Sequence, residues 1–489
     1  MNGQAKPSPL PTPFELLAAL AVGGLFWFIS GSIGSLVVGL AVVLAGLVLA
    51  RTLGSRSPVA GKLILVAALV ALLILAPFLA DSDFRTNQLG LALATALALL
   101  GLNLVTGYTG QVSLAHAAFV GLGAFTVAIS VDQWQLSLGL AMLLGVGVSA
   151  LAGLLIGIPA LRLRGHYLAI ATLAIGVAFV PIGKVSEIED YTGGFAGLSL
   201  SQYAFAPPFE ADWLTLDRWH YFLVAAALII STVLMYNLLN SPLGRSFRAV
   251  RDREVSATSM GVNVSSTKLI AFTSSAAYAG AAGGFIFVLS NRFVAVENFQ
   301  ILLMIEYLVA LVIGGRASLV GSLLGGFFLI YIYRSALESF SAGTEGGSDT
   351  WLLAIGFLLA LAILFTSRPV VRTLRQYGSA VNDRYGELLV NLLKVVVAVG
   401  AAFAFTWFMR LATEDLFQLR FLRGAISGAL LIFMVLFLPD GLAGLIDNLR
   451  NASWGRVGGW LKVNIIGSFS SGGSGGRLTP EDEKVSIAR

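Results

Sequence analysis

The fold class the sequence predicts is all-α: a polytopic integral membrane bundle of about 12–14 transmembrane helices, each a run of roughly 17–25 apolar residues able to cross a hydrocarbon layer of about 30 Å. Two observations predict it. Hydrophobic residues make up 57% of the 489-residue chain and charged residues only 12%, with a mean hydropathy of +0.86, far from a soluble globular composition. The apolar runs also recur along the chain, and its 55 glycines suit helices whose backbones approach closely.

In chain order the candidate spans lie near 14–31, 33–50, 63–80, 89–106, 112–130, 138–160, 167–183, 219–239, 269–289, 300–314, 317–335, 350–366, 389–409 and 422–438. The runs at 112–130, 167–183 and 300–314 are short or interrupted, which marks them as candidates for re-entrant or broken helices. Met1 to Pro13 is Pro-rich with only Lys6 as a charge and lacks a cleavable signal pattern, so the first apolar run is expected to stay. The tail beyond 447 turns Gly- and Ser-rich before a charged end and reads as a flexible extension. This divides the chain into extra N-terminal helices (1–84), a core (85–340), a C-terminal membrane region with an inserted basic loop and helix (341–446) and a tail (447–489).

Loop charges set the expected orientation. Arg51, Arg56 and Lys62 flank one loop, the Arg245 to Lys268 segment forms a second, and Arg368, Arg372, Arg375 and Arg384 crowd a third; all three are expected on the cytoplasmic side. The loop from Lys184 to Arg218 carries Glu187, Glu189, Asp190, Glu210, Asp212 and Asp217 and falls on the opposite face, with Tyr191, Tyr203, Trp213 and Trp219 beside it. Both termini then face the cytoplasm. The sequence pI near 9.4 reflects these topology signals and does not point to nucleic acid.

The most charged stretch among the apolar runs is SPLGRSFRAVRDREVSATSMGVNVSSTKLIAF, in which Arg245, Arg248, Arg251 and Arg253 alternate with Asp252 and Glu254 before Gly261 ends the pattern. Such a helix is built for contact with a soluble partner. Polar residues also punctuate GLNLVTGYTGQVSLAHAAFVGLGA, where Asn103, Thr106, Gln111, Ser113 and His116 make it the best candidate for a transport path, since polar groups at membrane depth survive only against protein or water. Glu306 joins them as a carboxylate inside an apolar run. LRLRGHYLAIATLA is a basic turn feeding a helix, and IGGRASLVGSLLGG offers Gly321 and Gly325 for close helix packing.

These blocks, with the terminal LFLPDGLAGL, resemble the permeases of branched-chain amino-acid ABC importers, specifically the LivM type, over about residues 85–335 and again near 422–446. The resemblance implies an inner-membrane subunit of a bacterium that pairs with a homologous LivH-type permease, two cytoplasmic ATPases and an extracytoplasmic binding protein. Glu254, Ser256, Ala257 and Gly261 are similar to the signature of the loop through which such permeases dock their ATPases, which assigns Arg245, Arg248, Arg251, Glu254, Ala257 and Gly261 to coupling. ATP is then used by the partners. The chain contains no phosphate-binding G-x-x-x-x-G-K-[ST], and neither Gly61-Lys62 nor Gly183-Lys184 has the flanking residues for one.

Each intramembrane polar residue also has a plain packing role open to it. A lone histidine such as His116 is more often a satisfied packing residue, Asn103 and Gln111 serve equally as helix glue, and Glu306 serves equally in a structural pair. With 3 histidines and no cysteine, a metal site is not expected, no cofactor is expected to bind the chain itself, and no nucleophile motif argues for an enzyme. Gly314-Gly315-Arg316-Ala317-Ser318 departs from the usual Gly-Gly-x-Gly-Ser and looks more like the related urea-importer permeases, which keeps urea or a short amide open as substrate. An ion-coupled secondary transporter is the remaining alternative.

Overall fold

The computed structural model describes residues 70–334, apart from 72, 81, 161–165, 195, 202–205 and 208–210. The candidate spans near 14–31, 33–50, 350–366, 389–409 and 422–438, the insert, the tail and both termini lie outside the described residues. Within them the chain is helical, and four helices are long and apolar enough to cross a membrane, or five if one bent pair counts as a single span.

Helix α1 (Asp83–Asn103) starts at Ser82, whose Oγ accepts a hydrogen bond from the Arg85 amide, and Asp83 places a negative charge in the first turn. It continues through a π-helical turn, Leu104–Tyr108, and at about 1.5 Å per residue the whole rod is about 39 Å long. This is the central helix, packed against α6 (Leu216–Asn240), α9 (Val264–Gly283) and α11 (Leu319–Phe327). The hydrophobic reading of 89–106 missed residues 83–88 because Arg85, Asn87 and Gln88 interrupt the apolar run.

α2 (His116–Asp132) and α3 (Leu138–Ala160) pack against each other and against α9, and α4 (His166–Ile182) and the short surface helix α5 (Ser186–Thr192) lie beside α2. The run near 167–183 is one continuous helix, and the chain bends by 82° after it, between α4 and α5, the geometry of a broken span or a re-entrant loop. Leu143, Leu151 and Leu155 of α3 and Ile230, Val233 and Leu234 of α6 are exposed. Rows of uncovered aliphatic side chains on these two helices fit a hydrocarbon surround.

Glycines seam α2, α3 and α9 together. A methyl group at Gly123 would lie 2.3 Å from the Gly280 Cα, and one at Gly280 would lie 2.4 Å from Ser149 Oγ and 2.7 Å from the Gly145 carbonyl oxygen. Ser149 Oγ in turn donates to the Phe119 carbonyl at 3.1 Å. The same device closes α10 (Ile301–Gly314) on α11, since a Cβ at Gly321 would sit 2.3 Å from the Gly315 oxygen and one at Gly325 2.5 Å from the Ala310 oxygen. Small residues thus permit the backbone approach that drives helix association in lipid.

The polar connections gather at two opposite ends. At one end the acidic connection between α4 and α6 holds α5, capped by Gly193 at φ +69°, and β1 (Leu198–Ser199) pairs antiparallel with β2 (Phe293–Val294). Lys184 pairs with Glu297 at 2.6 Å, and the hydrogen bond from this lysine holds the Glu297 carboxyl below the usual carboxylate range. At the other end, about 37 Å along the 25-residue α6, lies the charged segment.

Candidate functional site

The charged segment is two helices, not one. Pro242 begins α7 (Pro242–Asp252) in the first-turn position where a missing N–H costs nothing, the backbone turns extended at Arg253 (φ −159°, ψ 110°), and α8 (Glu254–Ser259) follows. Gly244, Phe247 and Val250 face inward at intervals of three residues, while Arg245, Arg248 and Arg251 are exposed. The arginines therefore form one outer face. Arg248 donates to the Leu239 carbonyl at the C-terminal end of α6 at 3.1 Å. Gly261 has φ +83°, a left-handed conformation that glycine adopts without Cβ strain, and it turns the chain toward Asn263, whose side chain caps α9 by accepting from the Ser266 amide.

On α8 the small residue and the large ones divide the surface. Ala257 is buried against the chain, whereas Val255 and Met260 are 82% and 86% exposed, beyond any hydrocarbon-facing helix. Lys268 on α9 is 6% exposed and pairs with Glu254, so α8 is tied to the base of a membrane helix by a largely buried cation. Sequence reasoning missed both features, although a lysine at the start of an apolar run signals the second.

α7 lies directly beneath the polar end of α1. After the π turn, Gly110 (φ +70°) comes so close to Arg251 that a Cβ there would lie 3.0 Å from Arg251 Cγ. The chain from Gly110 to Ala115 is non-helical and climbs back beside α1, where Leu114 N–H finds Thr172 Oγ1 of α4 at 3.0 Å, before α2 begins at His116. This places Thr106, Gln111 and Ser113 at the end of the bundle next to the charged segment, with Asn103 and His116 deeper.

The candidate path residues separate by what they bond. The Asn103 amide group donates to the Ser318 carbonyl at 2.8 Å and to Ser322 Oγ at 2.9 Å, and its oxygen accepts from the Ala317 amide at 2.8 Å. It latches α1 to the α10–α11 turn, in which Ala317 is held at φ +57°. His116 contacts the Ala98 carbonyl at 2.9 Å, approaches Ser275 Oγ at 3.5 Å and meets the Tyr307 ring edge-on, joining α1, α2, α9 and α10. By contrast, Thr106 Oγ1 and Gln111 Oε1 are buried without a hydrogen-bond partner among the described residues, while Gln111 Nε2 donates to Thr109 Oγ1 at 2.9 Å. Buried polar atoms of this kind call for water or a solute. Ser113 and Glu306 are also buried, the latter on α10, and Arg316 is exposed in the α10–α11 turn.

The profile of the family described as "Branched-chain amino acid transport system / permease component" matches residues 84–368, more than half of the chain. The chain belongs to this permease family. Among its relatives, the high-affinity branched-chain amino acid transport system permease protein LivM of Salmonella typhimurium is 33% identical over 286 residues, covering 54% of this chain and 65% of that protein. LivM of Escherichia coli K12 is 32% identical over 318 residues, covering 61% and 72%. A probable branched-chain amino acid transport permease LivH of Methanocaldococcus jannaschii is 26% identical over 282 residues, covering 55% and 84%. The match thus spans just under two thirds of the length of the Salmonella relative. No solved structure matches this permease. The family places the chain in a membrane, and the matched region contains the central helix, the polar block and the charged segment.

Proposed function

We propose that this permease is the transmembrane subunit of an ATP-driven importer of branched-chain amino acids. It forms the translocation path with a homologous permease, receives substrate from an extracytoplasmic binding protein and is worked by two cytoplasmic ATPases, one of which seats on residues 242–263. The observation that carries the reading is the pair Val255 and Met260, large apolar side chains standing clear of the chain on a segment otherwise lined with exposed arginines. Such a rimmed apolar knob suits a groove in a soluble protein with acidic edges.

The packing supplies a route for the stroke. Movement of α8 is passed to α9 through Glu254 and Lys268, and movement of α7 is passed to the polar end of α1 through Arg251 and Gly110. Thr106 and Gln111 lie at that end, so displacement of α7 changes the surroundings of the two buried polar atoms that water or substrate could meet. Asn103 and His116 keep α1 registered against its neighbours meanwhile.

The test is uptake of labelled leucine into proteoliposomes holding the complex that co-purifies with the full chain. ATP-dependent leucine accumulation that requires co-purified ATPases supports the proposal. Accumulation by the lone chain driven by an ion gradient overturns it in favour of a secondary carrier, and uptake of urea in place of leucine overturns the substrate class.

A further inference from the structure

We infer that a cavity at the end of α1 opposite the charged segment binds a zwitterionic aliphatic amino acid. This rests on the permease reading above and adds a site to it. The cavity has a volume of about 340 Å³, at the small end of ligand pockets. Its apolar lining comes from Phe84 and Leu91 of α1 and from Ile330 beyond α11, and its polar lining comes from Asn87, Gln88, Asp217, Asn291 and Arg292.

Charge is arranged there as a dipole. Arg292 donates to Asp217 Oδ1 at 2.9 Å, with both side chains about one-fifth exposed, and Asn87 Nδ2 donates to the same oxygen at 3.3 Å and to the Ser290 carbonyl at 3.1 Å. A guanidinium has five N–H donors in a rigid fork, and the Nε of Arg292 is buried with no hydrogen-bond partner among the described residues. The backbone is committed to presenting this side chain: Arg292 sits at φ +54° after the π turn Gly284–Ser290, and its carbonyl accepts from the Leu200 amide at 3.0 Å. An α-carboxylate on Arg292 and an α-ammonium on Asp217 lie antiparallel to the resident pair, while an aliphatic side chain covers Leu91, Phe84 and Ile330. A neutral amide offers no charge to either side chain and leaves the resident pair as it is, whereas a zwitterion adds a counter-charge to each, so the pocket favours the zwitterion.

The chain contains no cysteine, so Gln88→Cys places a single thiol in the cavity of the full chain in native membranes. Its modification by a charged methanethiosulfonate is timed with and without leucine, and Leu91→Cys serves as a second reporter. At a leucine concentration about ten times the dissociation constant, labelling slows about tenfold, because the free fraction falls as one over one plus that ratio. Urea gives no protection, and Arg292→Gln abolishes the protection by leucine; Asp217→Asn carries the same test should Arg292→Gln fail to accumulate. Equal labelling rates with and without leucine at both reporters overturn the site, and if the importer still takes up leucine, the permease reading stands without it. Protection by urea in place of leucine overturns the amino-acid assignment of the site, and absence of leucine uptake by the unmodified importer overturns both.

Discussion

Asn103 and Gln111 were indistinguishable as letters in one polar block, yet the first bonds at both ends of its amide and the second keeps a bare oxygen. Interhelical hydrogen bonds inside membranes average about 0.6 kcal/mol, so Asn103→Leu, which removes three, is expected to cost about 2 kcal/mol. Unfolding of the purified chain in detergent checks this. Gln111→Ala leaves that stability nearly unchanged and instead alters the rate of leucine uptake. At the acidic end, the Lys184 hydrogen bond depresses the Glu297 pKa, so the stability it lends is present above the ordinary carboxylate range and is lost as pH falls through the lowered value. An NMR titration should place the Glu297 midpoint below that of a free glutamate and return it toward normal in Lys184→Gln. Sequence showed that polar residues break the apolar pattern here. It could not show which are satisfied, because the partners of Asn103 lie more than two hundred positions away.

At the scale of elements, helix boundaries followed from local chemistry that the sequence displays: Ser82, Thr215, Asn263 and Ser318 cap α1, α6, α9 and α11 with their side chains. The break between α7 and α8 was not legible, since nothing about Arg253 forbids a helix. Gly261 was, because a glycine ending a charged helical pattern is the usual left-handed terminator. Among the described residues nothing lies within 4 Å of a Cβ at Gly261, so within this chain substitution there acts through backbone conformation. Gly261→Val should abolish leucine uptake while membrane insertion persists, and Gly261→Asn should retain more uptake, because asparagine tolerates positive φ. The glycine seam makes a matched comparison. Gly123→Ala must push α2 off α9 and lowers the unfolding midpoint, whereas Gly147→Ala, on the open side of α3, gains up to about 1 kcal/mol from helix propensity.

For the whole molecule, hydropathy was enough to give the class, because a bilayer demands long apolar helices and the chain supplies them. It could not give the arrangement. α1 and α3 are both apolar runs, yet among the described residues one is the buried centre and the other an outer wall, a difference that apolar content does not encode. The separation of an acidic connection at one end from an arginine-faced segment at the other was legible from loop charges, whereas the cavity at the acidic end was not. Under the proposed function, a motor outside the chain grips one end to change access at the other. Site-directed crosslinking from a cysteine at Met260 tests this most directly. The account predicts that Met260→Cys crosslinks to a co-purifying ATPase subunit and that nucleotide changes the yield. A thiol at that position that reacts only with reagent added outside the cell, and joins no ATPase, would contradict it.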